Sequence, residues 1–239
     1  MTQIYIQSPR QNGKAHARRA TVIAFTGAPG AGKDSAAAVL VNHRAFITIA
    51  FADALRREIT AAWRIDERML THRPTKETPI PALAVGMCGD PAFVSWAFSG
   101  GDGLHAPRSP RWVMQQWGTF QRRYAPTHYA DIVARWVGRQ LGTGHTRIAV
   151  TDLRYPWEES ALRAIGADLH IVRVHRHETT HLADDTAQHS SERYRLRADS
   201  DVVNDASLQA LAEAVLELPP VAALTAAPIP FHASEGGAQ

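Results

Sequence analysis

The stretch that most narrows what this chain can fold into is "TVIAFTGAPGAGKDSAAAVL", residues 21–40. An apolar run leads into Gly27-x-x-x-x-Gly32-Lys33, and an alanine-rich helical segment follows. Gly27, Gly30 and Gly32, with Ala31 between the last two, let the backbone turn tightly, so that successive N–H groups face a phosphate without Cβ obstruction. The helix starting near Gly32 adds the positive end of its dipole, and Lys33 supplies a mobile cation for β- and γ-phosphate oxygens. Strand, loop and helix in this order specify an α/β fold with a nucleotide phosphate at the loop.

The motif has one irregularity. The residue after the lysine, commonly a Ser or Thr whose hydroxyl holds Mg²⁺, is Asp34, and the hydroxyl arrives one place later on Ser35. Mg²⁺ favours carboxylate oxygen and keeps several of its waters, so Asp34 can hold it directly or through water. Ser35 then either shares in the metal or meets the α-phosphate. The alternative is that Asp34 is a first-turn acid favoured by the dipole.

Five apolar segments read as strands, at 20–26, 45–50, 147–151, 168–174 and 201–203. Their near-continuous apolar character is that of strands buried on both faces of a parallel sheet. Helical segments at 32–42, 52–65, 111–124, 127–142, 156–165 and 206–217 alternate with them, so helices cover the sheet. The long interruption at 71–110, with "HRPTKETPIP" and "SGGDGLHAPRSP", reads as an inserted loop region rather than a second core. The expected organisation is a basic extension at 1–19, an α/β domain at 20–217 with an inserted region at 66–145, and a flexible Pro/Ala-rich tail at 218–239. The 239 residues and 45% hydrophobic content suit one such domain. No apolar run reaches the roughly 20 residues that cross a bilayer. The N-terminal stretch lacks the apolar core of a secretory signal, and the single cysteine, Cys88, fits a reducing compartment; the expectation is cytoplasmic. Arginine greatly outnumbers lysine, which favours forked hydrogen bonding to phosphate but equally fits an Arg-rich composition.

"GKDS" at 32–35 resembles the GKDT loop of bacteriophage deoxynucleoside monophosphate kinases, and the likeness continues in order. "FADALRRE" at 51–58 is similar to that family's FAxxLK-type segment, and "RWVMQQWGT" at 111–119 to its R-x-x-M/L-Q-x-x-G-T segment. "VTDLRYPWEESALRAIGA" at 150–167 resembles its D-x-R-x-x-x-E strand-to-helix segment, while "HSSE" at 189–192 and "DVVND" at 201–205 are similar to late His-x-x-E and Asn-Asp elements. Ser35 stands for Thr, Arg56 for Lys, and Phe120 for an acid, and the insertion at 88–110 has no counterpart. The resemblance implies a P-loop NTPase fold with a five-stranded parallel sheet in the order 2-3-1-4-5, an acceptor-binding region and a lid. It also implies transfer of the ATP γ-phosphate to a deoxynucleoside 5′-monophosphate with Mg²⁺, a phage origin, a host-cytoplasm location and a homodimer.

The chemistry needs two nucleotides in line and cations on both. Asp152-Leu153-Arg154 ends the third strand, where open α/β sheets place ligands. Arg154 can fork onto the acceptor phosphate while Asp152 orients Mg²⁺ waters or the attacking phosphate; the plainer alternative is an Asp–Arg pair capping a strand. With Lys33 these are the candidate catalytic residues. Arg111 and Gln115, four apart on one helix face, suit the acceptor phosphate and base edge, with Thr119 nearby. Asp53 and Arg56 are further acceptor candidates, each with a solvated surface role as its alternative. Arg173 and Arg176, in "VRVHRHETTH", are candidates for a lid closing over the transferring phosphoryl group. His175, His177 and His181 lack the second ligand cluster of a structural zinc site. Glu158 reads as a first-turn acid, and Trp112 and Trp117 as core, with base stacking as their alternative. Two rivals keep the donor loop. One is a kinase acting on a hydroxymethyl-modified base in phage DNA, for which the sequence shows no concentrated Lys/Arg run; the other is a P-loop NTPase or binding module, which leaves 111–119 and 152–154 without a purpose.

Overall fold

The computed structural model describes residues 20–101, 103–176, 194 and 196–224. Five parallel strands form one sheet in the order β2-β3-β1-β4-β5: β1 (Thr21–Thr26), β2 (Ile47–Ile49), β3 (Arg147–Val150), β4 (Asp168–His175) and β5 (Ser200–Val203). This is the order the P-loop NTPase fold requires, and every strand lies within one or two residues of its sequence-based range. β1 is the centre. Its alternate side chains feed two separate cores, Ile23 and Phe25 on one face, Val22 and Ala24 on the other.

Helices α1 (Lys33–Arg44), α8 (Leu208–Leu216) and α9 (Pro219–Ala222) cover the first face through Leu40, Leu211, Val215 and Val221. Helices α6 (His128–Gly142) and α7 (Pro156–Arg163) cover the second through Val133, Val137 and Leu162. The chain packs past residue 217: Leu218 and Val221 are buried in the first core, so the start of the expected flexible tail belongs to the domain. Residues 1–19, most of that tail, and the "HSSE" segment with His177 and His181 lie outside the described residues.

The interruption at 71–110 corrects the sequence reading. It carries a third core. Between β2 and β3 run α2 (Phe51–Trp63), α3 (Arg68–Thr71), three 3-10 turns (Arg73–Thr75, Pro81–Leu83, Val85–Met87), α4 (Pro91–Ser99) and α5 (Pro110–Tyr124) before α6. Ile59, Trp63, Leu70, Leu83, Val85, Phe93, Val113 and Trp117 form one buried cluster, with Phe93, Trp63 and Trp117 meeting ring to ring at 5.2–5.6 Å. Pro and Gly punctuate the segment, but they do so between short elements that each contribute one or two large apolar residues, which defeats a reading based on periodicity. The α4 start shows the local logic: Pro91 occupies the first helical position and Asp90 caps the amides of Ala92 and Phe93 at 2.9 and 3.0 Å.

Candidate functional site

The phosphate loop lies at the C-terminal ends of the strands, between β1 and α1. Its glycines are enforced by close backbone approach. A Cβ on Gly27 (φ +133°) would lie 2.3 Å from the Val174 carbonyl oxygen of β4, and one on Gly32 (φ +101°) 2.2 Å from the Asn204 side-chain nitrogen. Asn204, the residue after β5, is buried and donates from Nδ2 to the Ala31 carbonyl at 2.9 Å. The loop is thus fastened to both β4 and the end of β5. Lys33 Nζ donates to the Gly27 and Ala28 carbonyls at 2.7 and 2.8 Å, which holds the ammonium over the loop. Asp34 and Ser35 are exposed in the first turn of α1, offering a carboxylate and a hydroxyl beside the loop amides. Hard oxygen donors of this kind suit Mg²⁺.

Asp152 follows β3 and reaches across to α2. Its two oxygens accept from the amides of Phe51 and Ala52 at 2.7 and 3.0 Å, so it caps that helix from a distant strand. Glu158, in the first turn of α7, is buried and accepts from the amides of Arg154 and Tyr155 at 2.8 and 3.0 Å. Burial, with the nearby Asp152 charge, pushes its pKa up to about 8. It is more than a dipole-favoured acid: it fixes the backbone that presents Arg154.

The cations converge on the helical module. Lys76 is half-buried, and its pKa is lowered by that burial and then by the positive charges of Arg111, Arg154 and Arg56. Four basic side chains from four separate places in the sequence therefore share one region. Their backbone supports are specific. The Arg111 amide donates to the Lys76 carbonyl at 3.0 Å, tying the 3-10 segment to the start of α5. Acids orient the guanidinium groups: Arg111 pairs with Glu77, and Arg56 pairs with Asp53 and, at 3.3 Å, with Glu67. Asp53 also caps α2 by accepting from the Ala50 amide at 2.8 Å. A cleft of about 330 Å³ runs alongside, lined by Asp34, Asp53, Arg56, Thr48 and Thr151, and joins the first turn of α1 to that of α2.

Of the sequence candidates, Arg56, Arg111 and Arg154 come together, and Gln115 lies one turn beyond Arg111 on a continuous α5. Thr119 turns its hydroxyl proton to the Gln115 carbonyl at 2.9 Å. Arg173 does not join them. It lies within β4, its guanidinium donating to the Leu196 carbonyl and 3.9 Å from Asp201 on β5; Arg176 follows the strand. Trp117 is core, while Trp112 is half-buried under Arg108 at 4.3 Å. Cys88 is buried with its thiol pKa raised to about 11 by that burial, which leaves it unreactive. Sequence reasoning missed Lys76, placed in a segment read as loop, and the loop-fastening role of Asn204. One signal for Lys76 was present: it is one of three lysines in the chain.

No protein-family model matches the chain, and no curated protein matches it. Among solved structures it is similar to an unliganded sugar kinase from Janibacter sp. HTCC2649, at 13% identity and a TM-score of 0.46, covering 85% of this chain and 96% of that one. It is also similar to the APS kinase CysC of Mycobacterium tuberculosis in complex with AMPPNP and APS, at 12% identity and a TM-score of 0.39, covering 83% and 96%.

Proposed function

We propose that the chain is an ATP-dependent kinase whose acceptor is a deoxynucleoside 5′-monophosphate. The observation that carries this reading is the cluster of Arg56, Lys76, Arg111 and Arg154 on the helical module and the end of β3. One phosphate loop accounts for one nucleotide. A second, separately built group of cations calls for a second anion, and a phosphate monoester with two negative charges matches it better than a neutral hydroxyl.

Lys33 and the loop amides neutralise the β- and γ-phosphates of ATP and follow the charge as the phosphoryl group moves. Arg154 and Arg111 fork onto the acceptor phosphate and hold one of its oxygens toward the γ-phosphorus. That oxygen is already ionised, so no strong general base is needed. Asp152 and Glu158 act through the backbone, the first by fixing α2 and with it Arg56, the second by fixing Arg154. Asp34 and Ser35 are the residues that would hold Mg²⁺, which would supply charge neutralisation at the nucleotide phosphates.

The test is a coupled assay of ADP formation with each deoxynucleoside monophosphate, with DNA containing a hydroxymethyl base, and with no acceptor. Turnover that depends on a monophosphate supports the reading. Turnover with the modified DNA alone moves the acceptor to a polymer, and equal turnover without any acceptor makes the protein a nucleotide hydrolase.

A further inference from the structure

A second cleft, of about 430 Å³, opens between α4 and α5 and is lined by Trp96, Thr119, Arg122 and Arg123. It belongs to the inserted region, since Trp96 comes from α4 and the other three residues from α5. The aromatic groups here form a row that leads out of the third core. Phe93 and Phe120 are buried; Trp96 meets Phe120 at 5.6 Å, and Phe120 meets Tyr124 edge-on at 5.5 Å. Tyr124 at the outer end is 70% exposed. The Arg122 guanidinium doubles back beside Gly118 and lies 5.3 Å from the Tyr155 ring centroid, while Arg123 is exposed at the cleft.

Flat rings beside guanidinium groups, with no carboxylate among the described residues that line the cleft, select a ligand that is both planar and negatively charged. Nucleobases joined by phosphates have that character. A pocket for a free mononucleotide encloses most of its ligand. This cleft has few walls, and the aromatic row beside it ends in the exposed Tyr124 ring, packed on Phe120, which suits bases stacked one after another along a strand. A duplex keeps its base faces covered and cannot use such a row.

We infer that this cleft binds a single-stranded polynucleotide, with bases stacking on Trp96 and Tyr124 and phosphates meeting Arg122 and Arg123. The inference goes beyond the acceptor reading and does not depend on it.

The experiment is fluorescence anisotropy of a labelled oligothymidylate with the full chain, without ATP, over a range of salt concentrations. Saturable binding is expected, with a log–log salt slope of about −1.4 if two arginines each neutralise one phosphate at roughly −0.7 per contact. Tyr124→Ala should weaken binding about fivefold or more, as loss of a base–aromatic stack does elsewhere, and Arg123→Ala should weaken binding and flatten the salt slope by about 0.7, while the melting curve and ATP-dependent turnover stay as in the parent. Absence of saturable binding at low salt would overturn the inference. So would unchanged binding in both variants, binding of a blunt duplex as tight as the strand, or displacement of the strand by dTMP at matching nucleotide concentration. Because the readout needs no ATP, its outcome is separate from that of the transfer assay.

Discussion

The phosphate loop and the cation cluster, the two proposed anion-binding regions, are built in opposite ways. The phosphate loop is contiguous, seven residues from Gly27 to Lys33, and its charge is largely backbone amide and helix dipole. Its shape is set by contacts to β4 and Asn204 that leave no room for a side chain at Gly27 or Gly32. The cation cluster is discontinuous. Arg56 on α2, Arg111 on α5, Lys76 in the turn after a 3-10 segment and Arg154 between β3 and α7 carry their charge on long side chains, and acids aim Arg56 and Arg111. A rigid backbone cradle suits the invariant triphosphate of ATP. A side-chain cluster on a separately packed module suits an acceptor whose position must adjust.

The first way to break that comparison is Lys33→Ala. Lys33 is not among the buried core residues and its ammonium is held by loop carbonyls, so transfer should fall at least a thousandfold, about 4 kcal/mol of transition-state stabilisation, with the melting temperature nearly unchanged. Single-turnover rates and a thermal melt on the same sample check both halves. Retention of near-parent turnover would remove the phosphate loop from the chemistry.

Arg154→Ala tests the other region. Acceptor kcat/KM should fall by about two orders of magnitude, roughly 3 kcal/mol, because the fork is lost and the remaining cations face the phosphate without it. ATP affinity should move little. Lys76→Met should follow the same pattern more weakly. Equal losses for ATP and acceptor would mean that the two regions are one site, and the contrast drawn above would fail.

The same contrast explains how much was legible in the sequence. The loop was readable because every one of its functional groups lies within one short segment whose neighbours are a buried strand and a helix. The sheet order followed from the family likeness carried by that loop and the segments after it. The third core was not readable. The apolar residues it takes from the interruption, such as Leu83, Val85 and Phe93, sit on short elements separated by proline and glycine, and no period of 3.6 or 2 survives across them. Lys76 disappeared with it, since its role depends on a turn that brings it to the start of α5. Asp152 was visible as an acid, but its capping of the distant helix α2 exists only in three dimensions, whereas Glu158 caps the amides just before it and could have been read from its place in the first turn of α7.

Glu158 sharpens the acceptor side through pH. With its pKa raised to about 8 from 4.5, the folded chain keeps a proton that the unfolded chain has released. Its contribution to stability is therefore complete below about pH 4.5 and is lost as pH rises to about 8. Glu158→Gln keeps an oxygen for the Arg154 and Tyr155 amides and does not titrate, so its urea midpoint should be close to the parent's at pH 5 and above it at pH 8.5. Parallel stability curves for the two proteins would show that Glu158 is ionised throughout.

The smallest expected effect concerns the unusual residue of the loop. Asp34 and Ser35 lie side by side and exposed at the start of α1, and both offer oxygen to a hard cation. They differ in charge. Asp34→Asn keeps the shape and removes the charge that draws Mg²⁺, so the Mg²⁺ concentration for half-maximal rate should rise about tenfold at saturating ATP. Ser35→Ala removes one neutral hydrogen-bonding group, worth roughly 0.5–1.5 kcal/mol, and should shift that concentration less. Asp34→Ser, which restores the common spelling after the lysine, should fall between the two. The helix dipole provides the competing explanation, because a first-turn acid is favourable with or without metal. That explanation makes a different demand: Asp34→Asn would lower the melting temperature slightly and leave the Mg²⁺ requirement where it was. Measuring both quantities on one variant separates charge that serves the metal from charge that serves the helix. If Ser35→Ala raises the Mg²⁺ requirement and Asp34→Asn does not, the hydroxyl holds the ion from its displaced position and the carboxylate belongs to the helix alone.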